Sequence, residues 1–78
     1  MPHFPKEIEH SQRYYDDFYE YKHVKLPKET FRRMPRNKIL TTDEISRLGV
    51  VQRSGWEHYH IFTNEPFVLL FRRKREFA

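Results

Sequence analysis

Two segments of the chain, residues 19–24 and 56–62, alternate between two kinds of side chain with a period of two, which is typical of β-strands. In residues 19–24, aromatic or imidazole groups at odd positions alternate with charged or aliphatic groups at even ones. A shorter strand is predicted around residues 8–12. The adjacent acids Asp16 and Asp17 predict a turn between these two strands.

Two short helices are predicted in the middle of the chain. Pro27 opens the first, since a proline at the first helical position loses no hydrogen bond, and Pro35 ends it. Thr41 and Glu44 have the spacing of a capping box, in which each side chain accepts a hydrogen bond from the other residue's backbone N–H. Gly49 then permits the left-handed conformation that ends the second helix.

Residues 56–62 alternate again, and the even positions share one face of the predicted strand. Those positions are Trp56, His58, His60 and Phe62. Residues 67–73 form a nearly continuous apolar run, which predicts a central strand covered on both faces. The order of strands, two helices and strands indicates an α+β fold with an antiparallel sheet and both helices on one side.

Composition restricts the class of protein. A chain of 78 residues forms one small domain, and 15 basic against 11 acidic residues give a net charge of +4, which favours an anionic partner. No cysteine is present, which excludes a disulfide framework. The longest apolar run, residues 67–71, is far shorter than the ~20 residues that span a bilayer, and the N-terminus lacks the apolar core of a secretory signal. We therefore expect a soluble intracellular protein with no membrane partner.

Catalytic and metal-binding interpretations have little support. Asp16 and Asp17 are adjacent carboxylates, but such pairs at a turn are usually solvated or turn-forming. His58 and His60 share a predicted strand face, a spacing that can hold zinc, yet no third or fourth ligand is evident. We expect no enzymatic activity, no cofactor and no metal.

A dispersed set of basic residues and one indole is the most informative candidate site. Its members are Arg13, Lys22, Arg53, Trp56 and Arg73. If the sheet gathers them, they form a small cationic pocket suited to one dianionic phosphate on a protein. The competing interpretation places Trp56 in the core and leaves the basic residues as scattered surface charge.

The chain resembles the cyclin-dependent kinase regulatory subunit (Cks) family in three segments. They are EYKHVKLPKE at 20–29, GVVQRSGWEHY at 49–59 and EPFVLLFRR at 65–73. The resemblance covers residues 8–73, flanked by a flexible tail at 1–7 and a basic tail at 74–78. It implies a four-stranded antiparallel sheet with two short helices on one side, whose C-terminal strand can be exchanged between subunits.

The resemblance implies a non-catalytic adaptor in cell-cycle control, found in the nucleus and cytoplasm. Such an adaptor binds a cyclin-dependent kinase, together with its cyclin, through one surface. A separate pocket binds a phosphothreonine that is typically followed by proline. Tethering the kinase to substrates already phosphorylated once promotes multisite phosphorylation, because the next encounter is intramolecular.

The resemblance also assigns a phosphate-binding site to particular positions. They are Arg13, Lys22, Arg53, Ser54, Trp56 and Arg73. The family normally has a serine at position 53, where this chain has arginine. Arg53 either adds a cation to the pocket or obstructs it, and Ser54 is the alternative neutral donor.

A kinase-binding surface is assigned in the same way. It consists of Tyr14, Asp16, His60, Ile61, Phe62 and Glu65. Asn64, Glu65 and Pro66 form the hinge that decides whether the last strand stays in its own subunit or enters a strand-swapped homodimer. Phe62, Asn64 and Phe67 depart from the family's hinge motif, HxPEPH.

Two other functions remain open from the residues alone. Net positive charge, abundant aromatic residues and the basic tail are typical of a small nucleic-acid-binding β domain, in which bases stack on exposed rings. A purely structural role as a strand-exchanged dimer is the other possibility.

Overall fold

Seven short elements make up residues 4–75, the part of the chain that the computed structural model describes. In chain order they are β1 (Glu9–His10), β2 (Tyr14–Tyr15), β3 (Tyr19–Lys25), α1 (Lys28–Arg33), α2 (Thr42–Arg47), β4 (Glu57–Ile61) and β5 (Val68–Lys74). Every strand pairing is antiparallel, so the predicted α+β class is confirmed. Neither six-residue helix in this part of the chain is long and apolar enough to cross a membrane.

The sheet has four strand positions in the order β1, β3, β5, β4, and β2 lies off that path beside β3. Both β1 and β2 pair with β3, with Glu9 opposite Lys25 and Tyr14 opposite Tyr21. The two short strands therefore share one edge position. The sequence predicted the first of them and missed the second.

The central position of β5 is confirmed, since it pairs with β3 on one side and β4 on the other. Leu69 and Phe71 are buried on the face that the helices cover. Leu70 and Arg72, on the opposite face, are only half-buried. The prediction that both faces of this strand are covered is therefore wrong, because only one layer of helices packs on the sheet.

The hydrophobic core lies between the helix-side face of the sheet and the segments that cross it. Its members are Val24, Leu26, Met34, Leu40, Ile45, Leu48, Val50, Trp56, Phe67, Val68, Leu69 and Phe71. Phe4, which the sequence assigns to the N-terminal tail, places its ring 4.6 Å from that of Phe67 and 6.0 Å from that of Phe31. Residues 1–3 and 76–78 of the two predicted tails lie outside the described residues.

The predicted helix ends are close to the observed ones. Thr41 and Glu44 form the capping box, with the Thr41 backbone N–H donating to Glu44 Oε1 at 2.9 Å and the Glu44 N–H donating to Thr41 Oγ1 at 3.2 Å. Gly49 follows α2 with φ at 90°. Pro27 is the N-cap of α1 rather than its first helical residue, and its carbonyl oxygen accepts a hydrogen bond from the backbone N–H of Phe31 at 2.9 Å.

A β-bulge in β4 overturns the predicted alternation of residues 56–62. His58 pairs with Phe71 and His60 pairs with Leu70, so one residue of β4 has no partner between them. Because adjacent residues of β5 point to opposite faces, His58 and His60 do so as well. His58 is buried and His60 is exposed, and the prediction of a shared face is wrong. Within residues 4–75, no three His, Asp or Glu side chains are grouped to hold a metal.

Candidate functional site

Two cations lie over the indole of Trp56. The guanidinium carbon of Arg73 is 4.6 Å from the ring centroid, and Lys22 Nζ is 5.1 Å from it. Trp56 is only 9% exposed and belongs to the core, and its ring nevertheless lies beneath two of the predicted cations. A buried indole attracts cations more strongly than an exposed one, because water competes less for them.

Glu20 joins two of the predicted cations. Its Oε2 accepts hydrogen bonds from Arg73 Nε at 3.1 Å and Arg73 Nη2 at 2.8 Å, while Oε1 accepts one from Arg13 Nη1 at 3.5 Å. Glu20 and Arg73 are direct partners in the β3–β5 pairing. The sequence did not single out Glu20, although it shares a predicted strand face with Lys22. We call Arg13, Glu20, Lys22, Trp56 and Arg73 the Trp56 cluster.

Lys22 lies in the least solvated part of this cluster. Burial, and then the positive charges of Arg73 and Arg13, lower the pKa of Lys22 from its ordinary value. Its Nζ lies 3.2 Å from His10 Nδ1, and partial burial together with the Lys22 charge lowers the pKa of His10. Three cations less one carboxylate leave the cluster with two net positive charges, so a dianion would relieve the repulsion around Lys22.

A loop before β4 extends this charged region. The space beside Arg73, about 730 Å³, is called the basic hollow. It is lined by Glu20, Arg53, Ser54, Gly55, Arg73, Lys74 and Arg75. Arg53 and Ser54 are exposed and face this hollow, next to Arg73, so Arg53 adds a cation beside the cluster.

The opposite face of the sheet, here called the open face, carries a group of aromatic rings with one arginine. Its side chains are Tyr14, Tyr19, Tyr21, Tyr59, His60 and Arg72. Tyr14 stacks on Tyr21 with centroids 5.6 Å apart, and Tyr59 lies 5.7 Å from Tyr21. Arg72 lies over Tyr59 at 5.3 Å and donates to Glu57 Oε1 at 2.7 Å.

The positions of the aromatic rings relative to the cations bear on the nucleic-acid interpretation. Single-stranded nucleic acids bind where stacking rings and backbone-binding cations share one groove. Here Tyr14, Tyr19, Tyr21 and Tyr59 lie on the open face, whereas Lys22 and Arg73 lie on the other side of the sheet, together with the exposed Tyr15 opposite Glu20. The arrangement suits a compact anion better than a polynucleotide.

Asp16 organises the turn between β2 and β3. Its Oδ1 accepts hydrogen bonds from the backbone N–H groups of Phe18 and Tyr19 at 2.8 and 2.7 Å, and its Oδ2 accepts one from the Tyr21 hydroxyl at 2.7 Å. These bonds, that from Tyr21 first, lower the pKa of Asp16, and the same contact raises the pKa of Tyr21 to about 12. A carboxyl that stays ionised is a poor general acid, which agrees with the turn-forming interpretation.

The residues assigned to kinase binding occupy two adjoining surfaces. Tyr14 and His60 are exposed on the open face. Ile61 and Phe62 line a cleft of about 180 Å³ at the β4 edge of the sheet, where Pro66 also contributes. β4 is an edge strand, so the two surfaces meet along it.

The hinge connects β4 to β5 by a tight turn. Phe62 O accepts a hydrogen bond from the Glu65 N–H at 3.2 Å, and Glu65 O accepts one from the Val68 N–H at 2.9 Å. After this turn β5 pairs with β3 and β4 of its own chain. Glu65 is half-buried within the turn, and Asn64 and Pro66 on either side of it are exposed.

Comparison with known proteins gives one consistent result. A family model described as cyclin-dependent kinase regulatory subunit matches residues 8–75. The chain is 51% identical over 69 residues to the cyclin-dependent kinases regulatory subunit of Dictyostelium discoideum, covering 88% of this chain and 84% of the relative. It is 46% identical over 70 residues to the Drosophila melanogaster protein of the same name, covering 90% and 95%. It is also 46% identical over 67 residues to cyclin-dependent kinases regulatory subunit 2 of Arabidopsis thaliana, covering 86% and 81%.

Proposed function

The chain belongs to the family of cyclin-dependent kinase regulatory subunits, which are non-catalytic, and we propose that it binds phosphothreonine through the Trp56 cluster. Binding to a cyclin-dependent kinase follows from family membership. The proposal adds that a second surface binds substrates that already carry a phosphate, so that the kinase is held near them.

The arrangement of Arg73 carries the proposal. Glu20 holds the Nε and Nη2 edge of the guanidinium, and within residues 4–75 its Nη1 donates no hydrogen bond. The Arg73 guanidinium is held over Trp56 before any ligand arrives, which lowers the entropic cost of binding an anion. Lys22 adds a second charge over the same ring, and the cluster's two net positive charges match a phosphate dianion.

Calorimetry with a phosphothreonine-proline peptide and its unphosphorylated twin tests the proposal. We expect only the phosphorylated peptide to bind, and Arg73→Ala to weaken it roughly tenfold to hundredfold, as loss of a charged hydrogen-bond donor does. Arg47→Ala is the matched control, because Arg47 is an exposed arginine at the end of α2. Equal and negligible heats from both peptides would remove phosphate binding from the proposed function.

We infer that the kinase binds along the β4 edge, where the open face meets the cleft. Exposed aromatic rings beside a half-buried apolar cleft form the kind of surface that protein partners cover. A pull-down with a cyclin-dependent kinase should recover less Glu65→Gln than wild type. Glu29→Gln, an exposed glutamate of α1, should be recovered like wild type. Equal recovery of all three proteins would argue against a role for Glu65.

The Trp56 cluster lies around the pairing of Glu20 with Arg73, whereas the proposed kinase surface follows the β4 edge and the cleft beside Ile61 and Phe62, so both partners can bind at once. Tethering then makes phosphorylation of further sites intramolecular. With a substrate that carries one phosphothreonine and several unphosphorylated sites, Arg73→Ala should slow the later phosphorylations while still binding the kinase. An unchanged rate would contradict the tethering mechanism.

A further inference from the structure

The imidazole of His10 lies beside one cation of the Trp56 cluster. His10 of β1 pairs with Val24 of β3, whose side chain is fully buried in the core. Lys22, two residues before Val24, points to the same face, and its Nζ lies 3.2 Å from His10 Nδ1. Ser11 holds the end of β1 in place, because its backbone N–H donates to His23 O at 2.9 Å and its Oγ accepts from the His23 N–H at 2.9 Å.

The contact with Lys22 keeps His10 neutral when the site is empty. A lysine ammonium can only donate, so Nδ1 is the acceptor and the ring carries its proton on Nε2. Protonation of Nδ1 would break this hydrogen bond and place two cations 3.2 Å apart. Partial burial and then the charge of Lys22 lower the pKa of His10 for this reason.

Positive charge predominates around the imidazole. The cations come from three parts of the sheet: Lys22 on β3, Arg73 on β5 and Arg13 between β1 and β2. Glu20 is the carboxylate of this region, and its two oxygens accept hydrogen bonds from the two arginines. Glu9, next to His10 on β1, points to the opposite face of the sheet. A bound anion would therefore reverse the sign of the charge that His10 experiences.

We propose that His10 is a further residue of the phosphate-binding site and takes up a proton when phosphothreonine binds. This inference rests on the proposed function of the Trp56 cluster. A phosphate oxygen that accepts a hydrogen bond from Lys22 Nζ lies at most about 6 Å from His10 Nδ1. A dianion at that distance favours the charged imidazole, and salt screens it little, because the Debye length is about 8 Å. Lys22 then donates to the phosphate, and Nδ1 holds the proton instead.

Proton uptake at His10 makes affinity depend on pH. Since the occupied site holds this proton more strongly than the empty site, binding becomes tighter as the pH falls, by up to about tenfold per pH unit for one proton. The peptide's own phosphate acts in the opposite direction, because its second pKa is about 6 and its dianion is the form that binds. That contribution is the same for every variant of the protein, so a comparison of variants isolates His10.

Calorimetry with the phosphothreonine-proline peptide, using wild type and His10→Gln, tests the proposal. The glutamine amide oxygen can accept a hydrogen bond from Lys22 but takes up no proton. We expect the ratio of wild-type affinity to His10→Gln affinity to grow at least about threefold from pH 7.5 to pH 6.0. At pH 6.5, heats measured in two buffers of different ionisation enthalpy should show that wild type takes up more protons than the variant. His23→Gln is the matched control, since His23 lies on the open face near Tyr14, and it should behave like wild type.

A constant ratio between the two affinities would overturn the inference. That result includes a His10→Gln variant that binds more weakly by the same factor at both pH values, since His10 would then only position Lys22. If the variant does not fold, an NMR titration of wild type replaces it, and a His10 ring pKa that the peptide leaves unchanged or lowers is equally decisive against the inference. If wild type does not bind the peptide at either pH, the proposed function fails too, whereas binding with a constant ratio removes this inference alone.

Discussion

Gly55 lies so close to Arg73 that a Cβ atom at Gly55 would stand 3.0 Å from the arginine Cδ and 3.4 Å from its Cγ. The φ angle of Gly55 is 93°, in the left-handed region that other residues rarely adopt. The loop backbone therefore packs directly on the aliphatic stem of Arg73 and leaves its guanidinium over Trp56. A residue without a side chain thus helps to set the position of the charged group.

We predict that Gly55→Ala both destabilises the protein and weakens phosphopeptide binding. The strained φ angle should lower the free energy of unfolding by about 1 kcal/mol or more, and the new methyl group should push Arg73 away from Trp56. Urea denaturation measures the first effect and calorimetry the second.

Gly49→Ala is the control for this substitution. Gly49 has a similar φ of 90°, but its Cβ would meet only Ile8 Cδ1, at an ordinary 3.7 Å. It should lose stability to a comparable extent and keep its affinity for the peptide. If both variants lose affinity equally, the contact between Gly55 and Arg73 does not control the site.

A second prediction concerns the carboxylate within the Trp56 cluster. Glu20→Gln removes the one negative charge among Arg13, Lys22 and Arg73, so repulsion between these cations should lower the free energy of unfolding by roughly 1 kcal/mol. Added phosphate should restore more stability to this variant than to wild type, because the anion supplies the missing negative charge. Thermal unfolding in phosphate and in chloride at matched ionic strength measures the difference.

Glu57→Gln provides the comparison on the open face, where Glu57 pairs with Arg72 at 2.7 Å. That variant should respond to phosphate as wild type does. An equal response of all three proteins would show that phosphate does not act at the Trp56 cluster.

Local patterns predicted most of the secondary structure, since caps and alternation act over a few residues. The capping box of Thr41 and Glu44 needs only two side chains three positions apart, and it lies where the sequence predicts it. The β4 bulge was missed for the opposite reason. It depends on the register between His58 and Phe71, which are distant in sequence, and nothing in residues 56–62 alone signals an extra residue.

In the candidate site, too, the sequence predicted the features that depend on local pattern and missed those that depend on strand register. Alternation in β3 placed Lys22 on the same strand face as Glu20 and Val24, and the structure buries Lys22 on the helix side. The pairing of Glu20 with Arg73 joins residues 53 positions apart, so it requires the register of β3 against β5. Trp56 was difficult to assign because one face of its ring can bind cations while the rest packs in the core.

The buried imidazole of His58 makes stability depend on pH. Its Nδ1 accepts a hydrogen bond from the Leu40 backbone N–H at 2.9 Å, which requires the neutral ring with its proton on Nε2. Burial is the main reason that the pKa of His58 lies below the ordinary value of 6.5. As the pH falls below about 6.5, the unfolded chain binds a proton that the folded chain does not, so folding becomes less favourable.

We therefore predict that wild type loses stability between pH 7.5 and pH 5.5, at up to about 1.4 kcal/mol per pH unit for this one group. His58→Asn keeps an acceptor for Leu40 but cannot titrate, so its unfolding free energy should vary less over that range. His60→Asn, an exposed histidine two residues away, should behave like wild type. His10 also has a lowered pKa and adds a loss of stability in the same direction, so His10→Gln is measured beside them.

Parallel pH profiles for wild type and His58→Asn in urea denaturation would contradict the prediction. If His58→Asn does not fold, an NMR titration of the wild-type His58 ring gives the same answer, since a pKa at or above 6.5 would be incompatible with this account.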